Sequence, residues 1–250
     1  MKIDLHTKNI LVTGASRGIG AAISKELGKS GARIAIHYNN DKESAETVMQ
    51  SIGNKSKIFK ADLEDPIECE MLFNSVLKEF GHIDVIVNNA GIAISSPLNS
   101  KNWVNEWDKT MSINLRAIGI LCNLAIQHFK TRKCGRIINM ASRSAFRGET
   151  AKFLAYAASK GGVVSLSKSI AKEFGKDGIT CFVLAPGWVK TDMIQKTIEE
   201  HGEEYILKDL SFDRFTEPKD IAPIVTLLAS GLADHATGTT IDINAASYLH

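Results

Sequence analysis

Short aliphatic and β-branched runs alternate with longer amphipathic stretches along nearly the whole chain. Residues 9–13 have the length and apolarity of a buried strand, and a helical stripe of Ile19, Ile23 and Leu27 follows, ending at Lys29, Ser30 and Gly31. Residues 33–38 predict the next strand, after which Asp41 stands where a helix N-cap belongs, with the helix running through Ile52. Further strands are predicted at 56–60, 83–87, 136–140, 179–184 and 240–243, separated by helical patterns near 66–80, 102–130, 152–175 and 218–229. Strand, helix, strand at this spacing demands right-handed crossovers and a parallel sheet covered on both faces. The fold class expected is therefore α/β: a single doubly wound Rossmann-type domain over residues 1–250, with about seven strands and ligands outside their carboxyl ends.

Composition narrows the class of function. A chain of 250 residues that is 44% hydrophobic and 23% charged is large enough to bury a substantial core. Thirty basic against 28 acidic side chains leave a formal +2, so no global field steers the protein onto nucleic acid or an anionic membrane. Cys69, Cys122, Cys134 and Cys181 are widely spaced and form no Cys-x-x-Cys pair, which predicts reduced thiols in a cytoplasmic protein. No apolar run is long enough for a signal-peptide core or a membrane span, and the seven histidines show no ligand spacing, so neither export nor a bound metal is expected.

The chemistry is expected just after the strands. The first ends in TGASRGIG (13–20), where Gly14 permits a tight turn, Gly18 lets backbone approach a pyrophosphate and Gly20 lets the helix lie close. YAASK (156–160) places Tyr156 and Lys160 four apart on one helix face. The spacing alone is weak, since Tyr38 and Lys42 also match it, but that second pair straddles a strand end and a helix cap. The 193–215 segment, with Glu199, Glu200, Glu203 and Glu204, reads equally as a solvated helix face and as a lid over the site near 191–215.

Taken in order, TGASRGIG, NNAG (88–91), INL (113–115), a serine at 142, YAASK and PGWVKT (186–191) resemble the short-chain dehydrogenase/reductase family, in particular its 3-oxoacyl-carrier-protein reductases. The resemblance implies Tyr156 as general acid/base, Lys160 as its electrostatic partner, Ser142 rather than Ser144 as donor to the substrate carbonyl, and Asn114 as anchor of a proton relay. It also implies dinucleotide contacts at Gly14, Ser16, Arg17, Gly18, Ile19, Gly20, Tyr38, Asn39, Asp62, Leu63, Asn88, Ala90, Gly91, Tyr156, Lys160, Pro186, Gly187, Val189 and Thr191. A free tyrosine titrates near 10, too high for a partner at neutral pH. A lysine ammonium about 4 Å away, at an effective dielectric of 20, favours the phenolate by roughly 4 kcal/mol and is expected to poise Tyr156 near neutrality.

An NAD site wants an acid after the second strand, but His37, Tyr38, Asn39 and Asn40 supply none, and Asp41 suits a cap better. Arg17 stands where it can meet a 2′-phosphate, so NADP(H) is favoured over NAD(H). Two departures stand out. Where relatives carry paired glycines, this chain has Ala245 and Ala246, which puts the C-terminal turn in doubt. Arg143 and Arg147 flank the serine, either as solvated surface or as a docking point for an anionic substrate or carrier group.

The leading expectation is NADPH-dependent reduction of a 3-oxoacyl or similar ketone, possessing a small-molecule partner that is free or carrier-bound. The alternatives are a sugar, polyol or steroid alcohol dehydrogenase, and a non-catalytic NADP(H)-sensing protein. The resemblance suggests a homotetramer or homodimer built through the helices at 102–130 and 152–175, whose Trp103, Trp107, Ile118 and Leu121 serve equally well in an internal core.

Overall fold

The computed structural model describes residues 3–249, apart from the side chain of Lys196. Residues 1, 2 and 250, which the expected domain includes, lie outside the described residues. Seven strands form one sheet: β1 (Asn9–Val12), β2 (Arg33–Tyr38), β3 (Lys57–Lys60), β4 (Val85–Asn88), β5 (Gly135–Met140), β6 (Ile179–Pro186) and β7 (Thr240–Ile243). Their spatial order is β3-β2-β1-β4-β5-β6-β7, and every pairing is parallel. The chain reverses direction across the sheet between β1 and β4, which opens a crevice at their carboxyl ends.

The central strands read as apolar runs because alternate residues enter different cores. Leu11, Ile86, Ile137, Cys181 and Val183 face a core completed by α3 (Pro66–Phe80), α5 (Ala117–Arg132) and α7 (Leu154–Phe174). Ile10, Val12, Val87, Ile138, Phe182 and Leu184 face the opposite core, built with α1 (Gly18–Lys29), α2 (Lys42–Ile52) and α10 (Pro218–Ser230). Asp41 caps α2 as expected, its carboxylate accepting from the Ser44 N–H at 2.9 Å.

The segment expected as one helix at 102–130 is a continuous rod with a fault in it. α4 (Trp103–Met111) passes into α5 through a π turn at Ser112–Arg116. The buried Asn114 side chain pins this turn to Ile92, accepting from its N–H and donating to its C=O, both at 2.8 Å. A backbone ladder that must deliver one side chain sideways widens locally, which no hydrophobic period reveals.

The 193–215 segment folds as α8 (Asp192–His201) and α9 (Glu203–Leu207), joined at Gly202 with φ 80°. Ile194, Ile206 and Phe215 give it an apolar cluster of its own, while Glu199, Glu200, Glu203 and Glu204 are exposed. The acidic residues of this segment are solvated, while its apolar residues pack against one another. The turn after β7 closes without glycine: Ala245 and Ala246 take φ 50° and 54°. There the Ala245 carbonyl accepts from the Ser211 N–H at 2.9 Å, fastening the segment that follows α9. The remaining short helix, α6 (Ser144–Arg147), lies between β5 and α7.

Candidate active site

A cleft of about 940 Å³ opens at the carboxyl ends of the strands. Its floor is the loop between β1 and α1, where Gly14 and Gly18 take φ 61° and 54°. A Cβ on Gly20 would collide with the Gly14 carbonyl, so only glycine lets α1 start this close. Arg17 precedes α1 without a side-chain cap, which leaves the first N–H groups of the helix free to meet an anion. The loop after β4 is sewn to this floor. Thr13 Oγ1 accepts from the Asn89 and Ala90 N–H groups at 2.9 and 3.0 Å, and Asn89 Nδ2 donates to the carbonyls of Thr13 and Gly14.

Gly14, Ser16, Arg17, Gly18, Ile19, Tyr38, Asn39, Asp62, Leu63, Ala90, Gly91, Pro186, Gly187, Val189 and Thr191 all line the cleft, as do Ser142, Tyr156 and Lys160. Three expected residues do not reach it. Gly20 lies behind the loop as packing. Asn88 points into the sheet, donating to Asn139 Oδ1 at 2.8 Å, and its neighbour Asn89 faces the cleft in its place. Asn114 is fully buried, held by Ile92 and by the Ser159 hydroxyl at 3.2 Å, so it shapes the wall from behind. Asp62 both lines the cleft and caps its own loop, accepting from the Glu64 N–H at 2.9 Å. The decoy pair is apart: Lys42 turns to Glu46 at 3.3 Å, while Tyr38 is buried at the cleft edge.

His37 was not singled out by the sequence. It is buried at the end of β2, its Nδ1 accepting from the Gly14 N–H and its Nε2–H donating to the Ala61 carbonyl, each at 3.0 Å. Burial pushes its pKa down to about 4, which keeps the imidazole neutral. The signal available was a histidine in an otherwise apolar strand, next to a loop rich in unsatisfied N–H groups.

On α7, Tyr156 and Lys160 share the face that the spacing predicts. Lys160 is 4% exposed, its Nζ donating to the Met140 carbonyl at 2.8 Å and lying 5.7 Å from the centre of the Tyr156 ring. Burial lowers its pKa to about 8. The expected depression of Tyr156 does not follow from this arrangement. Loss of solvation raises its phenol, the Ser142 hydroxyl acts the other way, and the Glu149 carboxylate raises it further. The phenol is half-buried because it faces the cleft, yet the protein packed around it decides the direction. Lys160 donates instead to the Met140 carbonyl.

Ser142 follows β5 and lines the cleft, whereas Ser144 lies behind it, donating to Glu149 at 2.6 Å. Arg143 departs from both readings of the arginine pair, whereas Arg147 is exposed, as the surface reading has it. Arg143 is 3% exposed, held by Asp209 at 2.5 Å and stacked on Trp188, whose indole N–H donates to the same carboxylate at 3.1 Å. Arg147 pairs with Glu149 at 3.3 Å. Arg143 is neither solvated surface nor a free anion site; it ties the loop after β5 to the segment after α9. Among the described residues, no group of three His, Cys, Asp or Glu side chains is placed to hold a metal ion, and no helix is long and apolar enough to cross a membrane.

Comparison with known proteins agrees with this layout. The family model described as short chain dehydrogenase matches residues 8–202. The chain is 36% identical over 246 residues to a 3-oxoacyl-[acyl-carrier-protein] reductase FabG of Staphylococcus aureus, covering 97% of this chain and 99% of that protein. It is 32% identical over 252 residues to 3beta-hydroxysteroid dehydrogenase 1 of Eggerthella lenta, covering 99% and 96%. A short chain dehydrogenase of Burkholderia cenocepacia, solved in complex with NADP, superposes with a TM-score of 0.89 at 30% identity, covering 99% of each chain. With fold and sequence both matching over most of its length, the chain belongs to the short-chain dehydrogenase/reductase family of NAD(P)-dependent oxidoreductases.

Proposed function

We propose that the protein reduces a ketone to a secondary alcohol with NADPH, Tyr156 acting as general acid. The observation that carries this reading is that Ser142, Tyr156 and Lys160 line the same cleft as the glycine loop. A dinucleotide fits that cleft on physical grounds: α1 begins uncapped, Gly20 leaves no room for a side chain, and the cleft runs from Tyr38 and Asp62 to Tyr156. When bound, the reduced cofactor supplies a hydride to the carbonyl carbon. Tyr156 gives its proton to the carbonyl oxygen, which becomes the alcohol. Lys160, still largely a cation at pH 7 with its pKa near 8, places positive charge close to that oxygen in a site of low dielectric. Ser142, on the other side of the phenol, orients the carbonyl.

Arg17 supports NADP(H) over NAD(H), since it lines the cleft near Asp41, and Asp41 is committed to capping α2. An acyl thioester or small ketone suits the reductase-like relatives; with Arg143 and Arg147 both paired inside the chain, any carrier group would be held elsewhere. The hydroxysteroid relative favours a second reading, oxidation of a steroid or other alcohol by the same residues in reverse. The four free thiols suit a reducing cytoplasm. Trp103 stacked on Trp107, beside exposed Val104 and Leu98, suits a helix-to-helix contact in a homotetramer or homodimer.

The test is a panel of ketones, acyl thioesters and secondary alcohols against NADPH and NADH, followed by cofactor absorbance. NADPH-dependent ketone reduction is the expected result. Tight NADPH binding with no turnover of any member overturns the reading in favour of a sensor.

A further inference from the structure

A single carboxylate oxygen, Oδ2 of Asp209, accepts from side chains on two different loops. Nη1 of Arg143, the residue after Ser142, donates at 2.5 Å, and Nε1 of Trp188, the residue between Gly187 and Val189, donates at 3.1 Å. The guanidinium also lies over the indole, 5.1 Å from the ring centre. Backbone repeats the link, since the Arg143 N–H donates to the Pro186 carbonyl at 3.0 Å. Asp209 is itself fixed in the turn after α9, its N–H donating to the Ile206 carbonyl at 3.0 Å.

Arg143, Trp188 and Asp209 stay out of the cleft lining, but their neighbours Ser142, Gly187 and Val189 belong to it. Trp188 also packs against the apolar cluster of Ile194, Ile206 and Phe215, and Ile194 lines the cleft from the first turn of α8. One joint therefore stands a residue behind the wall of the cleft in three separate stretches of chain. Lys190 turns to Glu203 at 3.4 Å and Arg147 to Glu149 at 3.3 Å, so neither neighbouring cation competes with Arg143 for Asp209.

Stability alone does not account for a cation in this place. Taking a guanidinium out of water is costly, and an apolar side chain of similar length would fill the space without that cost. What the ion pair adds is one defined geometry, a planar fork held by a carboxylate and laid on an indole face. We propose that Asp209 and Arg143 are positioning residues that fix the Ser142 hydroxyl, the 187–189 stretch and Ile194 relative to one another, so that the carbonyl to be reduced meets the cofactor in a reactive pose. This deepens the reductase reading and rests on it.

The test breaks the joint from each side. R143M keeps bulk against Trp188 and leaves Asp209, whose side chain is 36% exposed, to be solvated, so the fold is retained. D209N keeps the shape and strands the buried cation. In both variants amide hydrogen exchange is expected to quicken about fivefold at 142–148 and at 187–194 together, with 14–20 unchanged. D209E, which keeps the charge on a half-exposed side chain, should retain wild-type exchange. In R143M and D209N kcat/KM for the ketone should fall about tenfold and recover in D209E, while the Kd of NADPH, set at the untouched glycine loop, stays within about twofold. A lowered thermal midpoint with wild-type exchange in both stretches and wild-type kcat/KM overturns the proposal, because that is all a merely structural ion pair would give. Exchange needs no turnover, so quickened exchange in a protein that reduces no ketone defeats the reductase reading separately.

Discussion

The Gly14 N–H donates to Nδ1 of His37 across 3.0 Å, so the floor of the cleft hangs on a neutral imidazole in the neighbouring strand. A proton on Nδ1 would set two N–H groups against each other. His37 carries a pKa of about 4 in the fold against 6.5 unfolded, so the unfolded chain binds the extra proton first as pH falls. Stability is then full above pH 6.5 and lost progressively down to pH 4, by about 3 kcal/mol in all. Urea unfolding of wild type and H37N at several pH values measures this: the variant should show a flatter slope between pH 6.5 and 4, and identical slopes exclude the linkage.

Replacing Tyr156 with phenylalanine should remove at least a hundredfold in kcat, roughly the lower end of what a positioned proton donor supplies. NADPH affinity, read by fluorescence titration, should barely move, because the glycine loop and Lys160 are untouched. Normal turnover in Y156F is the result that defeats the mechanism.

Arg17 is exposed and only loosely paired with Asp192 at 3.7 Å, so its guanidinium is available to a phosphate at small cost. R17A should weaken NADPH binding by about tenfold, one charge-assisted contact's worth, and NADH binding much less. The NADPH loss should shrink as salt is added. Equal losses for the two cofactors reject the assignment.

Ala245 and Ala246 occupy left-handed backbone at φ 50° and 54°. Each costs roughly 1 kcal/mol there, and glycine relieves that cost while giving some back as unfolded-state entropy. A245G is expected to raise the thermal midpoint by about 2 °C, a modest gain for a chain of this size. A midpoint unchanged or lowered shows that the turn is not strained.

The central strands were legible because both faces of the sheet are buried there, which turns β1, β4 and β6 into apolar runs, while the edge strands β3 and β7 stay partly exposed. Face assignment was not: Asn88 and Asn89 are chemically identical in sequence, and only the pleat decides that the second one meets the cleft. Arg143 was misread because an arginine defaults to the surface, and neither Asp209 nor Trp188 is near it in sequence. The spacing of Tyr156 and Lys160 correctly gave a shared helix face. It said nothing of the Met140 carbonyl that takes up the lysine, nor of the density that raises the phenol. The π turn and the hydrogen bond from Ser144 to Glu149 depend on contacts at angles that no linear period encodes.

Ile23 and Leu27 of α1 share a core with Ile221, Val225 and Leu228 of α10, and the two helices pack against each other. The helix that would receive the cofactor's phosphates is thus buttressed by a segment synthesised some two hundred residues later. On the ribosome, the glycine loop emerges early but stays without its support until α10 has left the exit tunnel. A chain stalled before α10 would leave Ile23 and Leu27 on the apolar side of α1 without that partner, open to chaperones and proteases.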